Sequence, residues 1–252
     1  MSFTVAADAY DRFMGRYSVP LAPRFADFGE VARGQRVLDV GCGPGALMTE
    51  LVRRLGDAAV TAVDPSEPFV AAARERQPAV RVERASAEHL PFRDRGFDAA
   101  LAQLVVHFMT DAVAGLREMA RVTRRDGVVA ACVWDHAGGQ GPLSVYWDAA
   151  RELDRDVEDE SELAGAREGH LAELFDAAGL HEIEETQLAV SVEHASFEEW
   201  WEPFRLGVGP AGAYAAALDP ERQTELRERC RERLPAAPFL LTARAWAARG
   251  RA

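Results

Sequence analysis

Arg36-Val37-Leu38-Asp39-Val40-Gly41-Cys42-Gly43-Pro44-Gly45-Ala46-Leu47 is the stretch on which the fold turns. Val37, Leu38 and Val40 form a short apolar run bounded by Gly34 and Gly41. Such a run predicts a strand of a parallel sheet covered on both faces. Gly41, Gly43 and Gly45 follow it at alternate positions. Glycine admits positive φ and lets a ligand touch bare backbone. A helix is expected from Leu47 to Leu55, with its free amides aimed at whatever fills the turn.

An acidic residue followed by Gly-x-Gly-x-Gly after the first strand resembles the first motif of the class I S-adenosylmethionine-dependent methyltransferases. Asp39, Gly41, Gly43 and Gly45 match it position by position. The same loop, read as Gly41-Cys42-Gly43-Pro44-Gly45-Ala46, also satisfies the dinucleotide pattern G-x-G-x-x-G/A, with Asp64 near the usual downstream distance. Electrostatics separates the two. A carboxylate at Asp39 suits a ligand carrying an ammonium and a sulfonium, whereas a pyrophosphate beside it would be repelled.

The chain has 252 residues, 48% hydrophobic and 28% charged, with a net charge of −12. That is enough for one α/β domain with insertions, or for a domain plus a small cap. The acidic balance argues against nucleic-acid backbones and anionic membranes as partners. No apolar run is long enough to span a bilayer, and the N-terminus lacks the layout of a signal peptide. The 3 cysteines, Cys42, Cys132 and Cys230, are scattered without metal or disulfide spacing. A reducing cytoplasm is the expected setting. All 29 basic residues are arginine, which excludes Schiff-base, P-loop and kinase lysines. The 6 histidines stand apart in sequence, so no metal site is expected.

Outward from the loop, residues 6 to 29 read as helical, with Tyr10, Phe13, Met14 and Tyr17 on one stripe and Pro20 and Pro23 interrupting it. The string Tyr10 to Ser18 resembles the N-terminal helix of many small-molecule methyltransferases. That resemblance sends Tyr10 and Arg16 to the carboxylate of the cofactor's methionine part. Val60 to Asp64 is the second strand, and Asp64 at its end can accept two ribose hydroxyls. Pro65 and Ser66 open the next helix. After a third strand, Val80 to Arg84, the stretch Ala85-Ser86-Ala87-Glu88-His89-Leu90-Pro91-Phe92 is similar to the family's Gly-Asp-Ala-Glu-x-Leu-Pro-Phe. There Ser86 replaces the acidic residue that meets adenine, so the implied contact is to a hydroxyl. Ser86, Ala87 and Glu88, with Cys42 in the loop and Gln103 at the end of the fourth strand, complete the expected cofactor set.

His107 follows the fourth strand and His136 the fifth, Val128 to Val133, on the edge where ligands of such sheets bind. They are the candidate bases; Glu88 and His89 stand behind them. A turn at Gly127 precedes the fifth strand. Asp154 to Glu162 reads as a solvated acidic face or loop. Long strands are expected at Leu180 to Glu193 and Phe239 to Ala247, forming in the resembled fold an antiparallel edge hairpin. Phe197, Trp200, Trp201, Phe204 and Tyr214 lie between them, either holding the insert together or walling a substrate pocket.

The expectation is thus an α/β, Rossmann-like, doubly wound seven-stranded sheet, mostly parallel, with an antiparallel C-terminal edge hairpin and a small helical cap. One domain, 1–252, would comprise an N-terminal helical lid (1–33), core (34–193 and 238–252) and cap insert (194–237). The resemblance implies S-adenosylmethionine-dependent methylation of a small molecule by a monomer or homodimer that engages neither nucleic acid nor membrane. An NAD(P)-dependent oxidoreductase and a non-catalytic S-adenosylmethionine-binding protein are the alternatives.

Overall fold

The computed structural model describes residues 7–252, so the start of the N-terminal segment lies outside the described residues. Seven strands are found among them: β1 (Val37–Val40), β2 (Val60–Asp64), β3 (Arg81–Arg84), β4 (Phe97–Gln103), β5 (Thr123–Trp134), β6 (His181–His194) and β7 (Phe239–Arg251). They form one sheet in the order β3-β2-β1-β4-β5-β7-β6. The first five positions pair in parallel. β7 runs antiparallel to both β5 and β6, giving the expected edge hairpin. Chain order reverses between β1 and β4, so the C-terminal ends of those two strands open a crevice.

Alternation along each strand feeds two cores. Val37, Ala62, Leu101 and Cys132 face α2 (Arg16–Phe28) and α3 (Ala46–Leu55), where Leu21, Phe25, Met48 and Leu51 cover them. Leu38, Val40, Ala100 and Val133 face α5 (Ala112–Val122) and α7 (His170–Ala177), covered by Leu116, Met119 and Phe175. With apolar cover on both faces, a run such as Val37 to Val40 is buried throughout.

Several local expectations are corrected. Pro20 and Pro23 do not interrupt the N-terminal helix, which continues through both to Phe28. Leu21, Ala22, Phe25 and Ala26 are fully buried beside them, and that packing outweighs the lost backbone bonds. Upstream, α1 (Ala7–Tyr10) joins α2 through a π-helical turn, Asp11–Gly15. The turn expected at Gly127 is a bulge inside β5, where pairing jumps from Phe97↔Thr123 to Ala99↔Val128. The far end of α2 is fastened to β7. The Arg249 guanidinium donates to the Phe28 carbonyl (2.9 Å) and pairs with Glu30 (3.0 Å), as Arg251 does at 2.8 Å.

Between β6 and β7 lie α8 (Phe197–Trp201), α9 (Gly209–Ala217) and α10 (Pro220–Arg233), which pack with α6 (Ser144–Leu153). Phe197, Trp200, Trp201 and Phe204 bury against one another and against Tyr146, whose ring stacks on Phe204 at 4.5 Å. These aromatics hold the insert together. Among the described residues no helix is long and apolar enough to cross a membrane.

Candidate active site

A cleft of about 290 Å³ opens at the β1/β4 switch point. Of the residues singled out in the sequence, its wall brings together Tyr10, Asp39, Gly41, Cys42, Gly43, Asp64, Pro65, Ser66 and Gln103. Each strand end supplies a polar group. β1 ends by burying Asp39, β2 presents Asp64, and β4 presents Gln103.

Asp39 is 1% exposed, and among the described residues neither of its carboxylate oxygens has a hydrogen-bond partner. Burial raises its pKa to about 8, the charge of Asp64 adds to the rise, and the approach of the Met48 amide offsets part of it. Asp64 is buried with one backbone donor on each oxygen: the Gly43 N–H at 2.9 Å and the Ser66 N–H at 2.8 Å. Burial raises its pKa and those two donors counteract the rise. Each oxygen keeps a free lone pair for a ligand hydroxyl. Asp64 is therefore both a candidate ligand group and the clasp of the glycine loop.

The three loop glycines differ in role. Gly41 has φ +70°, and a Cβ there would meet Val105 at 2.5 Å. A Cβ on Gly45 would meet Met48 at 2.6 Å; its φ of +103° starts α3, and it is not part of the wall. Gly43 has φ +53° with nothing within 4 Å, so its open side is the bare backbone a ligand can reach. The Cys42 thiol is held protonated by burial, reinforced by Asp39 and Asp64. Burial does the same to the Tyr10 phenol, with the Asp64 carboxylate next in effect.

Besides Gly45, four expected residues do not reach the wall. The Arg16 guanidinium lies elsewhere: it pairs with Glu199, contacts His194 Nδ1 at 3.3 Å and donates to the Glu199 carbonyl at 3.3 Å. Glu88 accepts from the Thr110 N–H at 2.8 Å, Ala87 is buried in the core under α5, and Ser86 closes a turn through its carbonyl. Sequence reading missed Ser18, Phe69, Val105 and Phe108, which do line the cleft. The Ser18 carbonyl accepts from Gln103 Nε2 at 3.0 Å, while Ser18 Oγ and Gln103 Oε1 are buried without partners among the described residues.

A second, smaller cavity, about 30 Å³, shares Tyr10, Leu104 and Phe108 with the cleft. Leu104 sits between the two with φ +62°, a sparsely populated conformation for leucine. His107, on a 3-10 turn after β4, and His136, after β5, both line this cavity. Burial lowers the pKa of His107, helped by His136, and lowers that of His136 to about 4 against an opposing pull from Asp159. His107 Nδ1 and His136 Nε2 are buried without partners among the described residues. Glu160 completes the group, although its acidic stretch reads as solvated in sequence. It is 3% exposed, accepts from the Trp147 indole N–H at 3.0 Å, and has a pKa raised by burial to about 7. One ligand atom from each of His107, His136 and Glu160 lies within 4.8 Å of the others. Their separation in sequence hid this convergence.

The cleft fits an S-adenosylmethionine-type ligand on its own evidence. The unpartnered Asp39 carboxylate asks for a cationic donor, and Asp64, Ser18 and Gln103 retain acceptors for hydroxyl or amine groups. Residues 38–131 match the model of a methyltransferase domain family. A malonyl-[acyl-carrier protein] O-methyltransferase of Pseudescherichia vulneris is 39% identical over 131 residues, 51% of this chain and 50% of the relative. The chain thus spans about half the length of the curated relatives it matches. Among solved structures, the YcgJ protein of Bacillus subtilis superposes with TM-score 0.59 at 19% identity, covering 93% of this chain and 97% of that one. A geranyl diphosphate C-methyltransferase of Streptomyces coelicolor A3(2), solved with Mg2+, geranyl diphosphate and S-adenosyl-L-homocysteine, superposes with TM-score 0.54 at 16% identity, covering 94% and 80%. Residues 38–131 accordingly resemble a methyltransferase domain, and the chain as a whole shares the fold of these solved structures.

Proposed function

We propose that the protein transfers a methyl group from S-adenosylmethionine to a small-molecule acceptor by in-line displacement, releasing S-adenosylhomocysteine. The observation that carries this reading is the buried, unpartnered Asp39 carboxylate beside an open Gly43 at the switch point. When bound, the sulfonium supplies an electrophilic methyl group. The chain's own part is to bind, orient and exclude water, and orientation alone can contribute about 7–11 kcal/mol to a barrier. Asp39 would take the ammonium, and Asp64 the ribose hydroxyls. The free amides at the start of α3 suit a carboxylate, a role that the position of Arg16 leaves to backbone. Phe69, Val105 and Phe108 offer apolar faces to a base.

The acceptor would approach from the smaller cavity, past Tyr10 and Leu104. His107 and His136, kept neutral by burial, present lone pairs there and are the candidate bases. The segment up to residue 33 would act as lid and 194–237 as cap of a single domain. A monomer or homodimer in a reducing cytoplasm, acting on neither nucleic acid nor membrane, agrees with the net charge of −12 and three buried free cysteines. Parallel calorimetric titration with S-adenosylhomocysteine and NAD tests the reading. The first should bind and the second should not; the reverse result overturns it. A metabolite screen with labelled methyl donor then identifies the acceptor.

A further inference from the structure

His107, His136 and Glu160 come from three separate connections: the turn after β4, the turn after β5 and the loop between α6 and α7. Two imidazoles, His107 buried and His136 half-buried, each with a buried nitrogen that has no partner among the described residues, face one buried carboxylate, and among the described residues Glu160 joins no ion pair. A buried carboxylate without a cation is costly, and this one is held in place rather than turned away. The Trp147 indole fixes one oxygen, and the His107 ring lies 3.9 Å from that of Phe108. Such outer contacts are what orient metal ligands.

We propose that His107, His136 and Glu160 form a binding site for a first-row divalent cation at the acceptor side of the cleft. Two histidines and one carboxylate suit zinc or iron(II) and leave coordination positions open. The cavity, about 30 Å³, has room for an ion and a little solvent. Ligands about 2.1 Å from a tetrahedral ion stand about 3.4 Å apart, so binding draws the three groups inward from their present limit of 4.8 Å. The open positions would select acceptors that offer an oxygen. This assignment of the cavity to the acceptor rests on the methyltransferase reading; the cation site itself does not. A bound cation and a free base are exclusive uses of the same lone pairs.

The test is titration of chelator-stripped protein with Co2+, followed by visible absorption, with S-adenosylhomocysteine calorimetry run on every sample. Wild-type protein should take one equivalent and develop ligand-field bands. Glu160→Gln, His107→Asn and His136→Asn should each weaken Co2+ at least tenfold, while the exposed-site control His181→Ala should not. Unchanged S-adenosylhomocysteine affinity in a variant shows that it is folded. No stoichiometric uptake by wild type, or uptake that survives in every folded variant of the three, overturns the site and leaves the histidines as bases. Failure of S-adenosylhomocysteine to bind wild type would instead sink the methyltransferase reading, whatever Co2+ does.

Discussion

Asp39→Asn keeps the shape of a buried side chain and removes its titration. In the unliganded protein the Asp39 pKa stands at about 8 against an ordinary 3.8. The folded state therefore binds a proton that the unfolded state has lost throughout that interval. Stability from this group is fully present below about pH 4 and declines as pH rises towards 8, by at most about 1.4 kcal/mol per pH unit. At pH 7 the ceiling is about 4 kcal/mol, and relaxation around an open cleft reduces it to about 1–3 kcal/mol. The Asn amide adds a cost of its own, but that cost does not vary with pH. The slope is therefore the readout. Thermal melts from pH 4 to 8 should fall more steeply for wild type than for Asp39→Asn, by about 2–10 °C across the interval. Cationic ligand should reverse the protonation: S-adenosylhomocysteine binding at pH 7 should expel close to one proton from wild type and none from the variant, measured calorimetrically in buffers of different ionisation enthalpy. The variant should also bind at least tenfold more weakly, while 5′-methylthioadenosine, which lacks the amino group, should bind both alike. Parallel melting slopes, or no proton release from wild type, would refute the assignment of Asp39 to the ammonium.

Asp64→Ala removes both the ribose acceptor and the clasp on the Gly43 and Ser66 amides. It should weaken S-adenosylhomocysteine at least tenfold and cost about 1–2 kcal/mol in denaturant melts; unchanged affinity in a folded variant would reject the ribose role. Gly41→Ala, facing Val105 at 2.5 Å, should destabilise by about 1–3 kcal/mol, while Gly43→Ala, facing open space, should cost about 1–2 kcal/mol yet abolish most ligand affinity. Equal melting and binding defects in the two would contradict their separate roles. Arg16→Ala should lower stability by about 1 kcal/mol or less and leave both S-adenosylhomocysteine and 5′-methylthioadenosine binding unchanged, since the pair with Glu199 is partly exposed. A loss confined to S-adenosylhomocysteine would return Arg16 to the methionine carboxylate.

The β1–loop–α3 unit was legible because each of its signals is local: an apolar run, a carboxylate, alternate glycines. Asp39 and Asp64 were legible for the same reason, since a strand end fixes where its last side chain stands. Arg16 was not, because proximity in sequence to Tyr10 is not proximity on a helix. On an uninterrupted helix the two stand about 120° apart, whereas Ser18 lies about 80° from Tyr10 on the other side, and Ser18 is the one that lines the cleft. Prolines 20 and 23 misled because their local cost is real but smaller than the burial of Leu21 and Phe25 beside them. Glu160 was hidden by its acidic neighbours. Asp159 pairs with Arg151 towards the surface, while Glu160 turns inward to Trp147. No periodicity encodes that choice. The meeting of His107, His136 and Glu160 depends on three connections at once, and nothing in their spacing announces it.

The fastening of α2 to β7 has a mechanical consequence. Arg249 and Arg251 grip Phe28 and Glu30 at the point where a hinge between α2 and β1 would otherwise lie. Leu21, Phe25 and Ala26 weld the same half of the helix to the sheet. The other end is built differently. Asp11–Gly15 is a π-turn, wound looser than its flanks, with Arg76 and Asp11 bridging it sideways to α4 (Glu67–Arg76). Stiffness therefore rises along the segment from Tyr10 to Phe28. If the segment bends, the π-turn is where it would give, moving Tyr10 relative to Asp64 while Ser18 stays on Gln103. Ligand traffic would pass through a wicket at one corner of the cleft, its jamb stationary and only its narrow leaf moving.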